Sequence, residues 1–240
     1  MEERKRMSKT KKKSFLVVGL GRFGLSLSEK LVELGQNVIG VDQFAGPVAE
    51  MSGKIDVAAQ LDVADENALI KVGAKEVDVA IVTIGASLEN SILCTSILVD
   101  LGIPMVVARA NSALHAKILA RVGAHKIVFP EWDMGHKIAE SLVYPWHSTF
   151  TKINGGDFYF GKIKPLPEML GKTMIELKFS QRYKAMVILL ERDGKEEAPS
   201  PIRPFLETDG LWIFGHRDDM DKLIKKNDLL DDDMIITDAP

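Results

Sequence analysis

From Ser14 onward, short runs of apolar residues alternate along the chain with longer stretches in which apolar positions recur every three or four residues. The short runs predict buried strands, and the longer periodic stretches predict amphipathic helices. The predicted strands are Phe15–Gly19, Asn37–Val41, Val57–Leu61, Val77–Thr83, Met105–Ala108 and Lys126–Phe129. The predicted helices are Phe23–Leu34, Glu66–Val72, Leu88–Leu101 and Ala113–Val122, with a turn of helix near Val48–Met51. This alternation predicts an α/β domain with a Rossmann-like, doubly wound parallel sheet.

The pattern changes after one further helix, predicted over Asp133–Tyr144 and ended by Pro145. Beyond Gly155 the apolar positions alternate with polar ones, as they do in half-buried strands. The predicted elements there are the strands Phe158–Ile163, Lys184–Glu191 and Leu211–Phe214, a turn at Asp193-Gly194 and a last helix from Asp218 to Lys226. They predict a second, smaller α+β domain.

Composition narrows the class of protein. The 240 residues carry a formal net charge of -3, which argues against bulk electrostatic binding to nucleic acid. No apolar run approaches the roughly 18 residues of a membrane span, and the basic opening residues do not lead into a signal-peptide core. Cys94 is the single cysteine, so an internal disulfide is excluded. We therefore expect a cytoplasmic protein.

The strongest local motif is the glycine triplet Gly19, Gly21 and Gly24, with Arg22 and Phe23 between its last two members. The motif follows a predicted strand directly and opens a predicted helix, which is the context that a dinucleotide-type phosphate turn requires. The first glycine permits the tight turn, the second lets backbone N–H groups approach a phosphate, and the third lets the helix pack closely on the sheet.

A second element of such a site is an acid about twenty residues further on, which accepts hydrogen bonds from ribose hydroxyls. Asp42 ends the second predicted strand at this spacing, and an acid there disfavours a 2′-phosphate. Asp42 could instead cap the turn that follows it. Arg22 could add bidentate contacts to a further phosphate, or it could be a solvated arginine on the first turn of a helix.

Four segments resemble the RCK domains of Ktr- and Trk-type potassium-uptake systems. They are Phe15–Gly24, Val38–Asp42, Ala80–Ala86 and Ile118–Gly135, the last reading ILARVGAHKIVFPEWDMG. Residues 157–226 resemble the small C-terminal RCK module, so the resemblance covers nearly the whole chain. Arg22 and the Pro130-Glu131 pair favour the Ktr type.

This resemblance implies a non-enzymatic regulatory subunit that binds ATP or ADP and acts on a membrane potassium transporter subunit. It implies dimers formed through the crossover helix and assembled into an octameric ring. Asp42 would hold the ribose, Asp62 would lie near the adenine, Arg22 and Arg109 would contact phosphates, and Glu131 would help to place a Mg, Ca or Na ion between two nucleotides. The remaining implied nucleotide-site residues are Gly19, Gly21, Phe23, Gly24 and Gly85.

The resemblance also divides the chain. It implies a basic, disordered tail over residues 1–13, a nucleotide-binding domain over 14–132, a crossover helix and linker over 133–150, a C-terminal RCK domain over 151–227 and an acidic tail over 228–240. In the C-terminal domain, Arg182, Ile188 and Pro201 match a region where some relatives bind cyclic di-AMP. An arginine in a loop and a proline at a hairpin edge would explain the same residues without a ligand.

Two departures from the family pattern bear on the ligand. Phe44 stands where a polar residue is common near the ribose, and Arg109 stands where some members have lysine. Either change could shift the preference between ATP and ADP or between ATP and NADH. The alternative to an ATP- or ADP-binding subunit is an NAD(H)-binding regulator of a Trk-type transporter.

Two other classes of protein remain as alternatives. An NAD-dependent oxidoreductase needs a positioned acid or base near the nicotinamide, and the candidate is His115, which the pattern predicts to be a solvated helix histidine. A redox-sensing transcription regulator needs a helix-turn-helix, and the sequence shows none before Ser14.

Overall fold

The computed structural model describes residues 12–148, 150–153 and 156–225. Most of the predicted basic tail, the acidic tail and Lys226 therefore lie outside the described residues. The chain divides into two compact units, residues 1–133 and 134–240. Each unit is described by itself.

The N-terminal unit contains a six-stranded parallel sheet with the order β3-β2-β1-β4-β5-β6. Its strands are β1 (Ser14–Val18), β2 (Asn37–Asp42), β3 (Val57–Gln60), β4 (Val79–Val82), β5 (Met105–Arg109) and β6 (Lys126–Val128). This is the strand order of the dinucleotide-binding fold, and it reverses direction between β1 and β4. The predicted Rossmann-like sheet is confirmed.

Five helices connect these strands, and a sixth follows β6. They are α1 (Arg22–Glu33), α2 (Ala45–Met51), α3 (Glu66–Lys71), α4 (Leu88–Asp100), α5 (Ala113–Arg121) and α6 (Pro130–Val143). The sheet is covered on both faces, because alternate residues of β1 enter different cores. Leu16 packs in the cluster that includes Leu98 and Leu119, whereas Val17 packs in the cluster with Val38 and Met51.

Helix α6 begins three residues earlier than the sequence pattern predicts. Pro130 occupies its first position, where the missing N–H costs nothing and the fixed φ suits a helix. Glu131 therefore lies in the first turn of a helix rather than in a loop. None of the side chains of α6 is buried in the single chain.

The C-terminal unit contains a five-stranded antiparallel sheet with the order β10-β9-β11-β8-β7. Its strands are β7 (Thr151–Lys152), β8 (Phe158–Ile163), β9 (Ala185–Arg192), β10 (Lys195–Glu197) and β11 (Gly210–His216). Helices α7 (Phe179–Tyr183) and α8 (Arg217–Lys225) complete the unit, and Met220 and Leu223 of α8 enter its core. The predicted smaller α+β unit is confirmed, with β7, β10 and α7 as additions.

Within the part of the chain that the structure describes, no helix combines the length and apolar character needed to cross a membrane.

Candidate functional site

A cleft of about 380 Å³ opens at the carboxyl ends of β1, β2, β4 and β5. It lies where the strand order reverses, which is the usual ligand position in a doubly wound sheet. Its volume is within the range of small-molecule sites. The residues that line the cleft are Gly19, Gly21, Asp42, Gln43, Phe44, Pro47, Val63, Thr83, Ile84, Gly85, Ala86, Asn90 and Arg109.

The turn from β1 into α1 depends on two of the predicted glycines. Gly19 has φ +100°, a left-handed conformation that side-chain-bearing residues rarely adopt. A Cβ on Gly24 would collide with the carbonyl oxygen of Gly19 and lie 2.9 Å from Oγ1 of Thr83. The Thr83 hydroxyl donates to the carbonyls of Val18 (2.9 Å) and Gly19. Close packing at this turn thus requires both glycines.

The amino end of α1 faces open space. Gly21 is the N-cap residue, no side chain caps the helix, and a Cβ placed on Gly21 would meet no atom within 4 Å. The first N–H groups of a helix and its dipole attract anions. This end of α1 can therefore bind a phosphate through backbone groups.

Asp42 combines the two roles that the sequence left open. Its Oδ2 accepts from the backbone N–H of Leu20 at 2.7 Å, and its Oδ1 accepts from the N–H of Phe44 at 2.9 Å. The residue is 9% exposed and still lines the cleft. A carboxylate offers about four acceptor positions, so about two remain for ribose hydroxyls.

Arg109 lies at the end of β5, packed directly against Gly85. A Cβ on Gly85 would approach Nη1 of Arg109 to 2.7 Å, so the guanidinium occupies the space that a side chain would need. Nη1 donates to the carbonyl of Thr83 at 3.3 Å, and Nη2 pairs with Oε1 of Glu131. The two residues predicted to contact phosphate and cation thus contact each other.

Four of the predicted nucleotide-site residues do not line the cleft, and one of them, Gly24, is the packing glycine already described. Arg22 and Phe23 stand in the first turn of α1, where Arg22 is exposed and forms no hydrogen bond or ion pair with the described residues. Asp62 is exposed in the loop after β3, and its Oδ1 accepts from the N–H of Ala64 at 2.9 Å. The neighbouring Val63 lines the cleft instead.

Several residues that line the cleft were missed by the sequence argument. Thr83 and Asn90 are the polar ones among them, together with Gln43. Thr83 follows β4, so the rule that ligands bind at carboxyl ends of parallel strands could have found it. Asn90 lies in the first turn of α4, where its backbone N–H bonds to the Ser87 hydroxyl, and no sequence signal pointed to it.

The prediction that His115 is solvated is wrong. Its relative exposure is 2%, and burial lowers the pKa of its imidazole. Its Nδ1 lies 3.1 Å from the side-chain oxygen of Asn111, in the loop that precedes α5. His115 does not line the cleft, so it offers no acid or base to a ligand there.

The three candidate cyclic di-AMP residues have different surroundings in the single chain. Arg182 donates to Glu168 at 2.8 Å, and Ile188 lies on the exposed face of β9. Pro201 lines a separate depression with Ile175 and Ser180. Their shared role stays a prediction.

Glu131 is likewise not part of a metal cluster within one chain. Among the residues that the structure describes, no group of three or more His, Cys, Asp and Glu side chains could hold a metal ion. A cation at Glu131 would need further ligands from outside the described residues.

The parallel sheet with its glycine turn and cleft, followed by a small antiparallel module, defines the two-domain class built from TrkA-N and TrkA-C domains. The TrkA-N domain matches residues 15–130 and the TrkA-C domain matches residues 162–227. The chain is 32% identical to Ktr system potassium uptake protein A of Bacillus subtilis over 216 residues, which are 89% of this chain and 96% of the relative. It is 31% identical to Ktr system potassium uptake protein C of the same organism over 217 residues, 90% of this chain and 97% of the relative.

The chain therefore belongs to the family of Ktr potassium uptake proteins A and C, which confirms the Ktr-type resemblance and the expectation of a non-enzymatic regulator. Among solved structures, the GsuK channel bound to NAD aligns with a TM-score of 0.53 at 18% identity. The alignment covers 91% of this chain and 39% of the channel chain, so this chain spans less than half of that channel. This likeness is one of fold.

Proposed function

We propose that the chain is a cytoplasmic regulatory subunit of a membrane potassium transporter, and that ATP or ADP binds in the cleft as a signal rather than as a substrate. The observation that carries the proposal is the near full-length match to the Ktr potassium uptake proteins. The cleft lies within the part of the chain that matches the TrkA-N domain.

The proposed contacts follow from the open groups of the cleft. The N–H groups at the start of α1 hold a phosphate beside Gly21, and the unused acceptor positions of Asp42 hold the ribose hydroxyls. Asp62 turns towards the adenine, and Arg109 faces the phosphates. Arg22, which is exposed on α1, reaches a phosphate of the neighbouring subunit's nucleotide.

The alternative ligand is NAD(H). The GsuK channel structure of the same fold is bound to NAD, and Asp42 disfavours the 2′-phosphate of NADP rather than NAD itself. ATP and ADP are the first choice because Arg22 and Arg109 would add positive charge beside the phosphates.

Assembly is the second part of the proposal. Met134, Ile138 and Leu142 follow one another at four-residue spacing along α6, and each is more than half exposed in the single chain. A stripe of this kind on a helix is typical of a protein–protein contact. We expect dimers through α6, an octameric ring, and a Mg, Ca or Na ion near Glu131 between facing nucleotides.

A change of ligand would then change the shape of the ring. Two triphosphates that face each other repel unless arginine side chains and a cation neutralise them, and loss of one phosphate alters that balance. A ligand shifts a conformational equilibrium by its differential affinity for the two states. A cyclic di-AMP site at Arg182, Ile188 and Pro201 stays part of the proposal, and calorimetry with cyclic di-AMP tests it.

The test of the proposal is thermal melting and light scattering of the purified protein with ATP, ADP, NADH or no ligand. We expect an assembly of about eight chains, and stabilisation by ATP or ADP that exceeds stabilisation by NADH. Asp42→Asn should lower nucleotide affinity about tenfold, because an amide offers one acceptor oxygen instead of two. Asp100→Asn, which changes an exposed aspartate at the end of α4 that does not line the cleft, is the matched control and should cost less.

A monomer in every buffer would contradict the assembly. Stabilisation by NADH alone would favour the NAD(H)-binding alternative, and equal losses in the two variants would remove the assigned role of Asp42.

A further inference from the structure

One ion pair of the N-terminal unit joins the cleft to helix α6. Nη2 of Arg109, which lines the cleft, pairs with Oε1 of Glu131 in the first turn of α6. Glu131, which does not itself line the cleft, thus pairs with a residue that is proposed to contact the phosphates of a nucleotide. A phosphate bound in the cleft and the Glu131 carboxylate would therefore compete for the same Arg109 guanidinium.

The arginine side of this pair is held in place. Its side chain is 20% exposed, its Nη1 donates to the Thr83 carbonyl, and its guanidinium rests against Gly85. Its Nε is buried without a hydrogen-bond partner among the described residues. The guanidinium is therefore a fixed donor group, and an anion binds it without a rearrangement of Arg109.

The Glu131 side chain is less constrained than that of Arg109. The Glu131 side chain is 63% exposed, and Arg109 is the partner that the structure gives it. A carboxylate in the first turn of a helix is also favoured by the helix dipole, whether or not it is paired. Glu131 can therefore leave Arg109 at small cost when a stronger anion arrives.

We propose that Glu131 is a built-in competitor of the nucleotide phosphates, and that it occupies Arg109 until a phosphate displaces it. The inference rests on the proposed function, since it needs a phosphate-bearing ligand in the cleft. It makes the Arg109–Glu131 pair the link through which occupancy of the cleft alters the start of α6. The displaced carboxylate is then free to take part in the cation site that the family resemblance implies.

The test is calorimetry on the full chain with ATP, ADP and adenosine, in buffer with EDTA so that no divalent cation bridges Glu131 to a phosphate. Glu131→Gln should raise ATP and ADP affinity roughly fivefold, which corresponds to the upper range for a partly exposed ion pair. Adenosine affinity should not change. Asp133→Asn is the control, because it removes another exposed carboxylate of the same helical turn.

A double-mutant cycle separates competition at Arg109 from a general loss of negative charge. In an Arg109→Gln background, the gain from Glu131→Gln should disappear. An equal gain in Asp133→Asn, a gain that persists without Arg109, or no gain at all would overturn the inference while leaving the proposed function intact. Failure of the unchanged protein to bind either nucleotide, both in the EDTA buffer and in buffer with Mg²⁺, would overturn both.

Discussion

The two units of the molecule use their polar groups in opposite ways. In the N-terminal unit, the N–H groups at the start of α1 have no side-chain cap, and Asp42 keeps acceptor positions open towards the cleft. In the C-terminal unit, the fully buried carboxylate of Asp209 bonds both Nε and Nη2 of Arg192, each at 2.6 Å. The unused hydrogen-bond donors and acceptors of the first unit can bind a ligand. The buried ion pair of the second unit instead stabilises its own fold.

The Asp209 cluster shows how complete this internal bonding is. Oδ2 also accepts from the backbone N–H of Leu206 at 2.8 Å, and Nη2 of Arg192 donates to the carbonyl of Pro204 at 2.9 Å. The cluster thereby fixes the loop that leads into β11. Buried charges are retained at tolerable cost when they are paired and hydrogen-bonded in this manner.

In the N-terminal unit, we expect the greatest loss of stability from a change at the glycine turn. Gly24→Ala should lower the free energy of unfolding by about 3 kcal/mol, because the new Cβ collides with the backbone of Gly19. Urea unfolding measures the loss. Gly21→Ala is the matched control: its Cβ meets no atom within 4 Å, so we expect it to cost less than about 1 kcal/mol while weakening nucleotide binding. Equal destabilisation by both changes would contradict the assigned roles of the two glycines.

A comparable loss is expected in the C-terminal unit from Asp209→Asn. The change leaves Arg192, 11% exposed, without its ionic partner and should cost about 3 kcal/mol at neutral pH. Burial works to raise the pKa of the Asp209 carboxyl, but hydrogen bonds from Arg192 and Leu206 outweigh it and leave the pKa below its usual value.

The lowered pKa of Asp209 determines how the free energy of unfolding changes with pH. Because the folded-state pKa of Asp209 is the lower one, its stabilisation is fully present above an unfolded-state pKa of about 3.9 and is lost as the pH falls through the folded value. Urea unfolding at several pH values should show this acid loss in the unchanged protein and a smaller one in Asp209→Asn. Parallel curves for the two proteins would disprove the assignment.

The contrast between the units also explains which parts were predictable from the sequence. Apolar runs predicted all six parallel strands. The signal is strongest in a central strand such as β4, whose four residues are all buried and all apolar. It missed β10, whose residues Lys195–Glu197 are all charged and which pairs only with β9 at the edge of the sheet. It also missed α7, which is five residues long and flanked by Lys178 and Lys184 with positive φ.

For the site, backbone motifs were easier to predict than side-chain partners. The glycine turn and Asp42 follow from spacing because the strand–turn–helix–strand unit of the dinucleotide-binding fold fixes both positions along the chain. The Arg109–Glu131 pair joins residues 22 positions apart and depends on how β5 and α6 meet, which no pattern encodes. The burial of His115 was missed for the same reason, since a histidine at the start of a helix gives no sign of what covers it.

An exposed ion pair of the C-terminal unit should contribute much less to stability than the buried pair of Asp209 and Arg192. Arg182 pairs with Glu168 at 2.8 Å, but the two side chains are 46% and 38% exposed, so solvent screens the interaction. The Tyr183 hydroxyl also donates to Glu168, so that carboxylate keeps a partner when Arg182 is removed. Arg182→Gln should therefore change the free energy of unfolding by less than about 0.5 kcal/mol, measured beside Asp209→Asn under the same conditions. A loss that approached that of Asp209→Asn would mean that the surface pairs of this unit stabilise it as much as its buried one.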